Sequence, residues 1–265
     1  MSSSRTRKKR RVKRNPRKII KALRNLLIIT SSVLAFYYFT QSPFFALKEI
    51  EVKGNKKLPQ TEIVQKSGLS LGINYFDIDT GLVAKRLSSI PVIASVEVNK
   101  KLPNRMEIVV EEREPLALYC TQDSFAVIDG QGYCIEKNVS IHDYDLPIIT
   151  GLIPDLLRPG EKVSDKECLQ SVLAVLGEDV QQLISEIDLA QENSLIAYTR
   201  QGIPLLLGTP DQLSEKIEMA VSYLDLLGTV EGIEYMDIRS LNAPAVKCEG
   251  KSLEKIENSI SIAEN

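Results

Sequence analysis

The chain has 265 residues and a formal net charge of −2, which conceals two oppositely charged parts. Residues 1 to 24 contain twelve Lys or Arg and no carboxylate, whereas the other 241 residues contain 21 basic and 35 acidic side chains. His142 is the only histidine, which excludes a zinc site built on two histidines, and no CxxC, GxSxG or Walker motif is present. These absences predict a protein that is not an enzyme and needs no metal or cofactor.

An uncharged stretch, NLLIITSSVLAFYYFTQSPFFAL, follows the basic segment at residues 25 to 47. A helix that rises ~1.5 Å per residue needs about 20 apolar residues to cross ~30 Å of hydrocarbon. Basic residues before the stretch and aromatic residues near its end are typical of a cytoplasmic flank and an interfacial belt. We predict a basic cytoplasmic tail at 1 to 24 and one transmembrane helix at 25 to 44. Two alternatives remain. The apolar stretch could be a cleaved signal peptide, in which small residues would mark the cleavage site, and the basic segment could be an arm that binds nucleic acid.

Residues 45 to 114 show the pattern of a small α+β unit. A strand in ALKEIEVKG is followed by two short helices, LPQTEIVQKSG and DTGLVAKRLSSIP, and then by a hairpin of VIASVEV and RMEIVVEE. We expect Asp79 to cap the second helix, and Leu82 and Ala94 to lie on buried faces. Because each element has one apolar face, the two helices are predicted to cover one side of a three-stranded sheet.

Residues 115 to 248 read as a β-rich unit that follows a charged joint, EEREP, which is predicted to be solvated. Turns such as TQD and DGQG separate short strands, and IEYMDIR and APAVK are the last two. Two helices are predicted, one with a capping box formed by Ser164 and Glu167 and one with Thr209 as its N-cap. The polar tail at 249 to 265 is expected to be disordered.

From about residue 18 to residue 248 the sequence resembles the FtsQ/DivIB family of bacterial cell-division proteins. The resemblance rests on five segments in this order: LKEIEVKGN, IPVIASVEVNKKLPNRMEIVVEEREPLALY, FAVIDGQGYC, LPIITG and IEYMDIRSLNAPAVK. The first unit by itself resembles a POTRA domain, a module that binds other envelope proteins. The implied fold class is α+β: one N-terminal transmembrane helix, a β-α-α-β-β POTRA domain at 45 to 114, and a β-rich domain with two flanking helices at 115 to 248.

The resemblance implies a scaffold that links cytoplasmic and extracytoplasmic divisome components at the septum through protein–protein binding. The implied location is the inner membrane, as a single-pass type II protein enriched at the division septum. The implied partners are small single-span coiled-coil division proteins of the FtsB/FtsL type, with other divisome membrane proteins bound through the POTRA domain and no nucleic acid. The alternative is a POTRA-containing transport or outer-membrane assembly factor, which is expected to carry further POTRA repeats or a long barrel domain.

The main partner site is predicted on the last two strands and their turn. A terminal strand has no later strand to cover its outer edge, so its free backbone groups can pair with a strand of another protein. In the family, the resembling strand-turn-strand binds FtsB in this way, and the arginine of an apolar-Asp-apolar-Arg motif pairs with a partner acid. That arginine corresponds to Arg239, and Ser240 stands where an aromatic residue is often found. The predicted site residues are Met236, Asp237, Ile238, Arg239, Ser240, Leu241, Asn242, Ala243, Pro244, Ala245 and Val246.

Four cysteines lie in the predicted extracytoplasmic part, where disulfides are permitted, and the sequence does not choose among their three full pairings. Cys120 and Cys134 fall on the first and third of three consecutive strands. If those strands are not neighbours, the two residues are ~9 to 10 Å apart by strand spacing, which is too far for a disulfide. Cys168 is expected to be a buried small hydrophobe, and Cys248 ends the last strand.

The charge asymmetry around the uncharged stretch predicts the topology of the chain. A reporter enzyme that is active only outside the cytoplasm should be active when fused after Asn265 and silent when fused before Arg5, because basic flanks stay in the cytoplasm. The topology is measured as the reporter activity of colonies that express equal amounts of the two fusion proteins. Activity of the amino-terminal fusion alone would reverse the predicted orientation.

Overall fold

The computed structural model describes residues 16–152, 157–191, 193–227 and 232–248. Helix α1 (Pro16–Thr40) contains a segment of 21 residues, Ile20–Thr40, which is long and apolar enough to cross a membrane. It begins inside the basic segment and ends before Pro43, so it differs at both ends from the predicted 25 to 44. A proline disfavours helical backbone in the residue before it, and Ser42 is accordingly extended, with ψ of 147°.

The first sheet confirms the predicted order of elements. The elements are β1 (Glu49–Lys53), α2 (Gln60–Ser67), α3 (Thr80–Ser88), β2 (Ile93–Lys101) and β3 (Arg105–Glu112). The strand order is β1-β3-β2, with β1 parallel and β2 antiparallel to the central strand. The helices and the sheet enclose one apolar core, in which Ile63, Leu87, Met106 and Ile108 are fully buried.

Local signals in this unit were predicted with mixed success. Asp79 caps α3 as expected, since its carboxylate accepts the N–H of Leu82 at 3.1 Å. Leu82 itself is 47% exposed, because Val83 and Leu87, one turn apart, form the buried face of the helix. The prediction for Ala94 is also wrong: a bulge after Ile93 shifts the alternation of β2, so Ile93 is buried and Ala94 is exposed.

Within the described residues, the second sheet has nine strands in the order β12-β11-β10-β9-β8-β7-β4-β5-β6. Its strands are β4 (Ala117–Cys120), β5 (Phe125–Ile128), β6 (Cys134–Val139), β7 (Ile148–Thr150), β8 (Ile184–Asp188), β9 (Leu195–Thr199), β10 (Pro204–Gly208), β11 (Ile233–Asp237) and β12 (Ala245–Cys248). Helices α4 (Glu167–Val175) and α6 (Leu213–Leu227) contribute buried residues to the main core of this sheet, among them Leu169, Val172 and Ile217. Strands β6 and β12 are therefore its two edges.

Both predicted helix starts in this unit are wrong. Helix α4 begins at Glu167 with Lys166 as its N-cap, and the Ser164 hydroxyl accepts the Lys166 N–H at 3.2 Å instead of closing a box with Glu167. Helix α6 begins at Leu213 rather than at Pro210, after Gln212 with a φ of 53°. A further short helix, α5 (Glu178–Leu183), adds to the two that were predicted among the described residues.

The joint EEREP, which was predicted to be solvated, is partly buried. Glu112 is 9% exposed, and its carboxylate accepts the backbone N–H groups of residues 56, 57 and 58 at 2.8, 2.8 and 3.0 Å. The Arg113 guanidinium pairs with Asp129 and lies 4.1 Å from the ring centroid of Tyr133. Charges occupy this joint because each has a partner, which a count of charges along the sequence does not reveal.

The cysteines agree with the expectations that the structure can test. Strand β5 separates β4 from β6, so Cys120 and Cys134 are not on neighbouring strands. All four thiols are free, Cys168 is 4% exposed, and burial raises the pKa of Cys134 to about 11. The predicted disorder of the tail at 249 to 265 lies outside the described residues.

Replacing Glu112 should destabilise the protein. Burial raises the pKa of its carboxyl, but three backbone donors outweigh this and hold the pKa below its ordinary value. We expect Glu112→Gln to lower the free energy of unfolding by about 2 kcal/mol at neutral pH, because hydrogen bonds to a charged acceptor are lost. Since the folded pKa is depressed, this advantage of the wild type is complete above about pH 4.3 and is lost as the pH falls through the folded pKa.

Urea unfolding of the full chain in detergent, followed by circular dichroism at several pH values, measures this effect. Glu114→Gln is the matched control, because Glu114 is 77% exposed and pairs only with the exposed Lys56 among the described residues. Equal stability of the two variants at neutral pH would contradict the role of Glu112.

Candidate partner-binding edge

The two edges of the nine-stranded sheet differ in how they are protected. At β6 a neighbouring segment pairs with the strand: the Cys134 N–H donates to the Glu161 carbonyl at 2.9 Å, and the Gly160 N–H donates to the Cys134 carbonyl at 2.7 Å. The β5–β6 pairing is interrupted by register shifts, and Asn138 has a φ of 62°. The neighbouring segment thus covers the first residue of β6, and the irregular pairing and left-handed Asn138 make the rest of this edge a poor template for another strand.

Strand β12 has one register shift in its pairing with β11, between Ile233 and Tyr235, but no segment of the described residues pairs with its outer side. It pairs with β11 on one side, with Met236 opposite Val246 and Asp237 opposite Ala245. Its other side carries no strand formed by residues that the structure describes. Because N–H and C=O groups point alternately to the two sides of a strand, half of the β12 backbone groups face outward without a strand partner.

The structure places the predicted site residues in one hairpin but divides them by exposure. Met236 and Ile238 are buried at 1% and 0% exposure, so their side chains belong to the core and are not available to a partner. Asp237, Leu241, Pro244 and Val246 are half-buried, and the exposed ones are Arg239, Ser240, Asn242, Ala243 and Ala245. A partner can therefore reach the turn, the exposed face and the backbone edge.

Arg239 is held by the strand that precedes it. Its Nε donates to Asp237 Oδ1 at 2.9 Å, its Nη2 donates to Oδ2, and its backbone N–H donates to Oδ1 at 3.2 Å. The hydrogen bond from Arg239 lowers the pKa of the Asp237 carboxyl, against the effect of its partial burial. Nη1 makes no hydrogen bond within the described residues, and the arginine side chain is 64% exposed.

Two residues that the sequence did not reveal shape the surroundings of the Arg239 side chain. Gly208 has a φ of +73°, and a Cβ added there would lie 3.0 Å from Arg239 Cγ. Lys216, which is 3% exposed, donates from Nζ to the carbonyls of Leu207 at 2.9 Å and Thr209 at 2.8 Å, on either side of that glycine. Burial lowers the pKa of Lys216. A lysine three residues after Leu213, within an apolar stripe, is the signal that could have revealed it.

A second feature that was missed is the aromatic residue beside the edge. Tyr235 is opposite Lys247 in the β11–β12 pair, and Lys247 Nζ lies 5.6 Å from the ring centroid of Tyr235. Lys247 also forms an ion pair with Glu234. Tyr235 is half-buried, so a partner strand has an aromatic surface next to the edge even though Ser240 offers none.

Two protein-family models match the chain in succession. Residues 45–113 match the POTRA domain, FtsQ-type, and residues 117–239 match the C-terminal domain of cell division protein FtsQ/DivIB. The chain belongs to the FtsQ/DivIB family of cell-division proteins. The two matches meet at the joint that Glu112 and Arg113 stabilise, and the second ends at Arg239.

Relatives from several bacteria support this membership. DivIB of Clostridium botulinum is 29% identical over 214 residues, which cover 78% of this chain and 83% of the relative. FtsQ of Syntrophotalea carbinolica is 25% identical over 233 residues, which cover 86% of this chain and 82% of the relative. The extracytoplasmic domain of DivIB from Geobacillus stearothermophilus has 16% identity and a TM-score of 0.29 over 43% of this chain and 92% of that chain, too low to bear on the fold.

Substituting Gly208 should displace Arg239 from Asp237. In Gly208→Ala the new Cβ is strained by the positive φ and crowds the stem of the arginine, so the Nε–H bond is expected to open. Hydrogen exchange of the Arg239 Nε–H, measured by NMR on the full chain in detergent, should become faster. Gly202→Ala is the matched control, because Gly202 has a φ of +83° with no atom within 4 Å of the added Cβ. Unchanged exchange in Gly208→Ala would show that the glycine does not position the arginine.

Proposed function

We propose that this protein is a division scaffold that links cytoplasmic and extracytoplasmic components of the divisome at the septum by binding other proteins. Family membership supports a role in cell division, and helix α1 supports a membrane anchor. The observation that carries the scaffold proposal is the outer edge of β12, beside Arg239, which no described segment covers. Membership in a cell-division family favours this role over transport or outer-membrane assembly.

The proposed organisation assigns each part of the chain one task. A basic tail at 1 to 24 stays in the cytoplasm, and a single span at 25 to 44 makes it a type II protein of the inner membrane. The POTRA domain at 45 to 114 recruits other divisome membrane proteins. The β domain at 115 to 248 holds the main partner site, followed by the tail at 249 to 265. Binding requires no catalytic group, metal or cofactor.

The partner of the β12 edge is proposed to be a small single-span coiled-coil division protein of the FtsB/FtsL type, which adds a strand. Main-chain hydrogen bonds to the outward groups of β12 supply affinity, and side chains on the exposed face supply specificity. On that face the partner meets Tyr235 and Lys247, since Val246 points with Met236 toward the core.

Arg239 is proposed to receive an acidic side chain of that partner. Asp237 already occupies Nε and Nη2, which orients the guanidinium and leaves Nη1 for a second carboxylate. An added strand would exclude water from the pair, which strengthens it relative to an exposed ion pair. Asp237 thus acts as a positioning residue, while Arg239 makes the contact.

The test is a titration of the full-length protein in lipid nanodiscs with purified FtsB/FtsL-type partner. Arg239→Glu should weaken binding on the order of thirty-fold, because a repulsive charge replaces a desolvated pair. Proline at Ala245 or at Val246 should weaken it as well, since one of two successive residues must donate its N–H outward. The proline at whichever of these two residues donates outward removes a hydrogen bond to the partner, and this loss should appear as faster dissociation.

Controls lie on the opposite edge of the same sheet. Lys137→Glu makes the same change of charge on β6, and a proline at Glu136 interrupts that edge strand. Both variants are expected to bind the partner as the wild type does. If the β6 variants lose affinity and the β12 variants keep it, the partner site is not on β12.

A further inference from the structure

Large apolar side chains are exposed at one end of the POTRA domain. Outside α1, the described residues include seven exposed large apolar side chains in the whole extramembrane part, with exposures from 38% to 70%: Phe44, Leu71, Phe76, Leu82, Leu102, Ile141 and Leu226. Single exposed apolar residues are ordinary on protein surfaces, whereas a contiguous group indicates an interaction site. Four of them, Phe44, Leu71, Phe76 and Leu102, lie on segments next to the end of α1, and we call this group the membrane-proximal patch.

Backbone hydrogen bonds hold the loop that carries Leu71 and Phe76 against the segment that leaves α1. The Leu47 N–H donates to the Ile73 carbonyl and the Gly72 N–H donates to the Leu47 carbonyl, both at 2.8 Å. The Asn74 side chain donates to the carbonyl of Thr40, the last residue of α1, also at 2.8 Å. The loop therefore lies directly beside the end of the helix.

Aromatic rings continue from the last turn of α1 into this loop. The ring centroids of Phe39 and Phe45 are 5.3 Å apart, and those of Phe45 and Phe76 are 5.0 Å apart. Phe44 also packs on Phe45 with a centroid distance of 5.0 Å. Phe45 is 9% exposed, so it joins the exposed Phe44 and Phe76 to the helix as one continuous apolar surface.

The tip of the β2–β3 hairpin reaches the same end of the domain. The Lys48 N–H, only three residues after Phe45, donates to the Asn104 carbonyl at 2.8 Å. Lys100 Nζ lies 5.3 Å from the ring centroid of Tyr75, which adjoins Phe76. Leu102 stands between these two contacts and is 70% exposed. Apolar tips with a lysine at their edge suit the boundary between lipid headgroups and acyl chains.

We propose that the membrane-proximal patch lies in the lipid interface of the outer leaflet and gives the POTRA domain a second attachment to the bilayer. Lipid is the occupant because the patch continues the surface of the spanning helix within a few residues of its end, where the headgroup region begins. With α1 and the patch both in the membrane, the domain has a fixed tilt rather than a flexible tether. This inference rests on the membrane anchor and not on the proposed partner of β12.

The sequence contains no tryptophan, so a single tryptophan reports on its own surroundings. The full-length Leu71→Trp and Leu102→Trp variants would be placed in vesicles of ordinary lipids or of lipids brominated on the acyl chains. We expect the brominated lipids to remove roughly half of the emission at both positions, as for a side chain just below the headgroups. Both side chains are highly exposed, so neither change should disturb the core.

Two further variants calibrate the measurement. Ile141→Trp, an exposed apolar position in the β domain, should show no quenching, and Val33→Trp, within α1, should show strong quenching. Quenching at residues 71 and 102 no greater than at 141 would overturn the proposal, as would an unquenched tryptophan at 33. Arg239→Glu in the same proteins should leave the quenching unchanged, which separates this result from the test of partner binding.

Discussion

The ion pair between Arg113 and Asp129 fixes the two folded units of the protein relative to each other. The two side chains are 10% and 8% exposed, so the pair is largely removed from water, although the buried Arg113 Nε has no hydrogen-bond partner within the described residues. Asp129 Oδ1 also accepts the N–H groups of residues 131 and 133 in the turn after β5. The Arg113 backbone N–H donates to the Val92 carbonyl at 2.7 Å, which ties the pair to the POTRA domain as well. Arg113 is therefore bonded both to the POTRA domain, through Val92, and to the second unit, through Asp129.

The position of the candidate binding edge follows from that joint. Asp129 follows β5, and seven strand spacings separate β5 from β12 in the sheet. At about 4.8 Å per spacing, the edge stands roughly 34 Å along the sheet from the joint. Val92 adds an apolar contact, since it packs on the cluster of Leu118, Val127 and Ile135. The sheet therefore holds β12 at a defined distance from the POTRA domain.

The same hairpin shows how far a sequence can locate a binding site. That β11 and β12 come last suggested an open edge, and the strand order agrees with it. The sequence did not reveal that β6, an earlier strand, is the other edge, or that residues 160 and 161 of a later loop pair with its first residue, Cys134. Nor did it show that the side chain of Arg239 packs beside Gly208, which lies thirty-one residues earlier in the chain. Such contacts depend on which strands become neighbours.

The sequence by itself determined that a membrane-spanning helix exists, the order of the elements in the first unit and the existence of α4 and α6 in the second, because these depend on local periodicity and composition. Tertiary structure alone decided which charges are buried and where α4 and α6 begin. The sequence pattern predicts that Glu112 and Arg113 are solvated. The structure shows that Glu112 is bound by the backbone of residues 56 to 58 and that Arg113 is paired with Asp129. Thr209 looked like an N-cap, but its carbonyl is bound by Lys216, and α6 starts four residues later. In each case the favourable energy comes from a partner distant in sequence or from a competing contact, which no local pattern encodes.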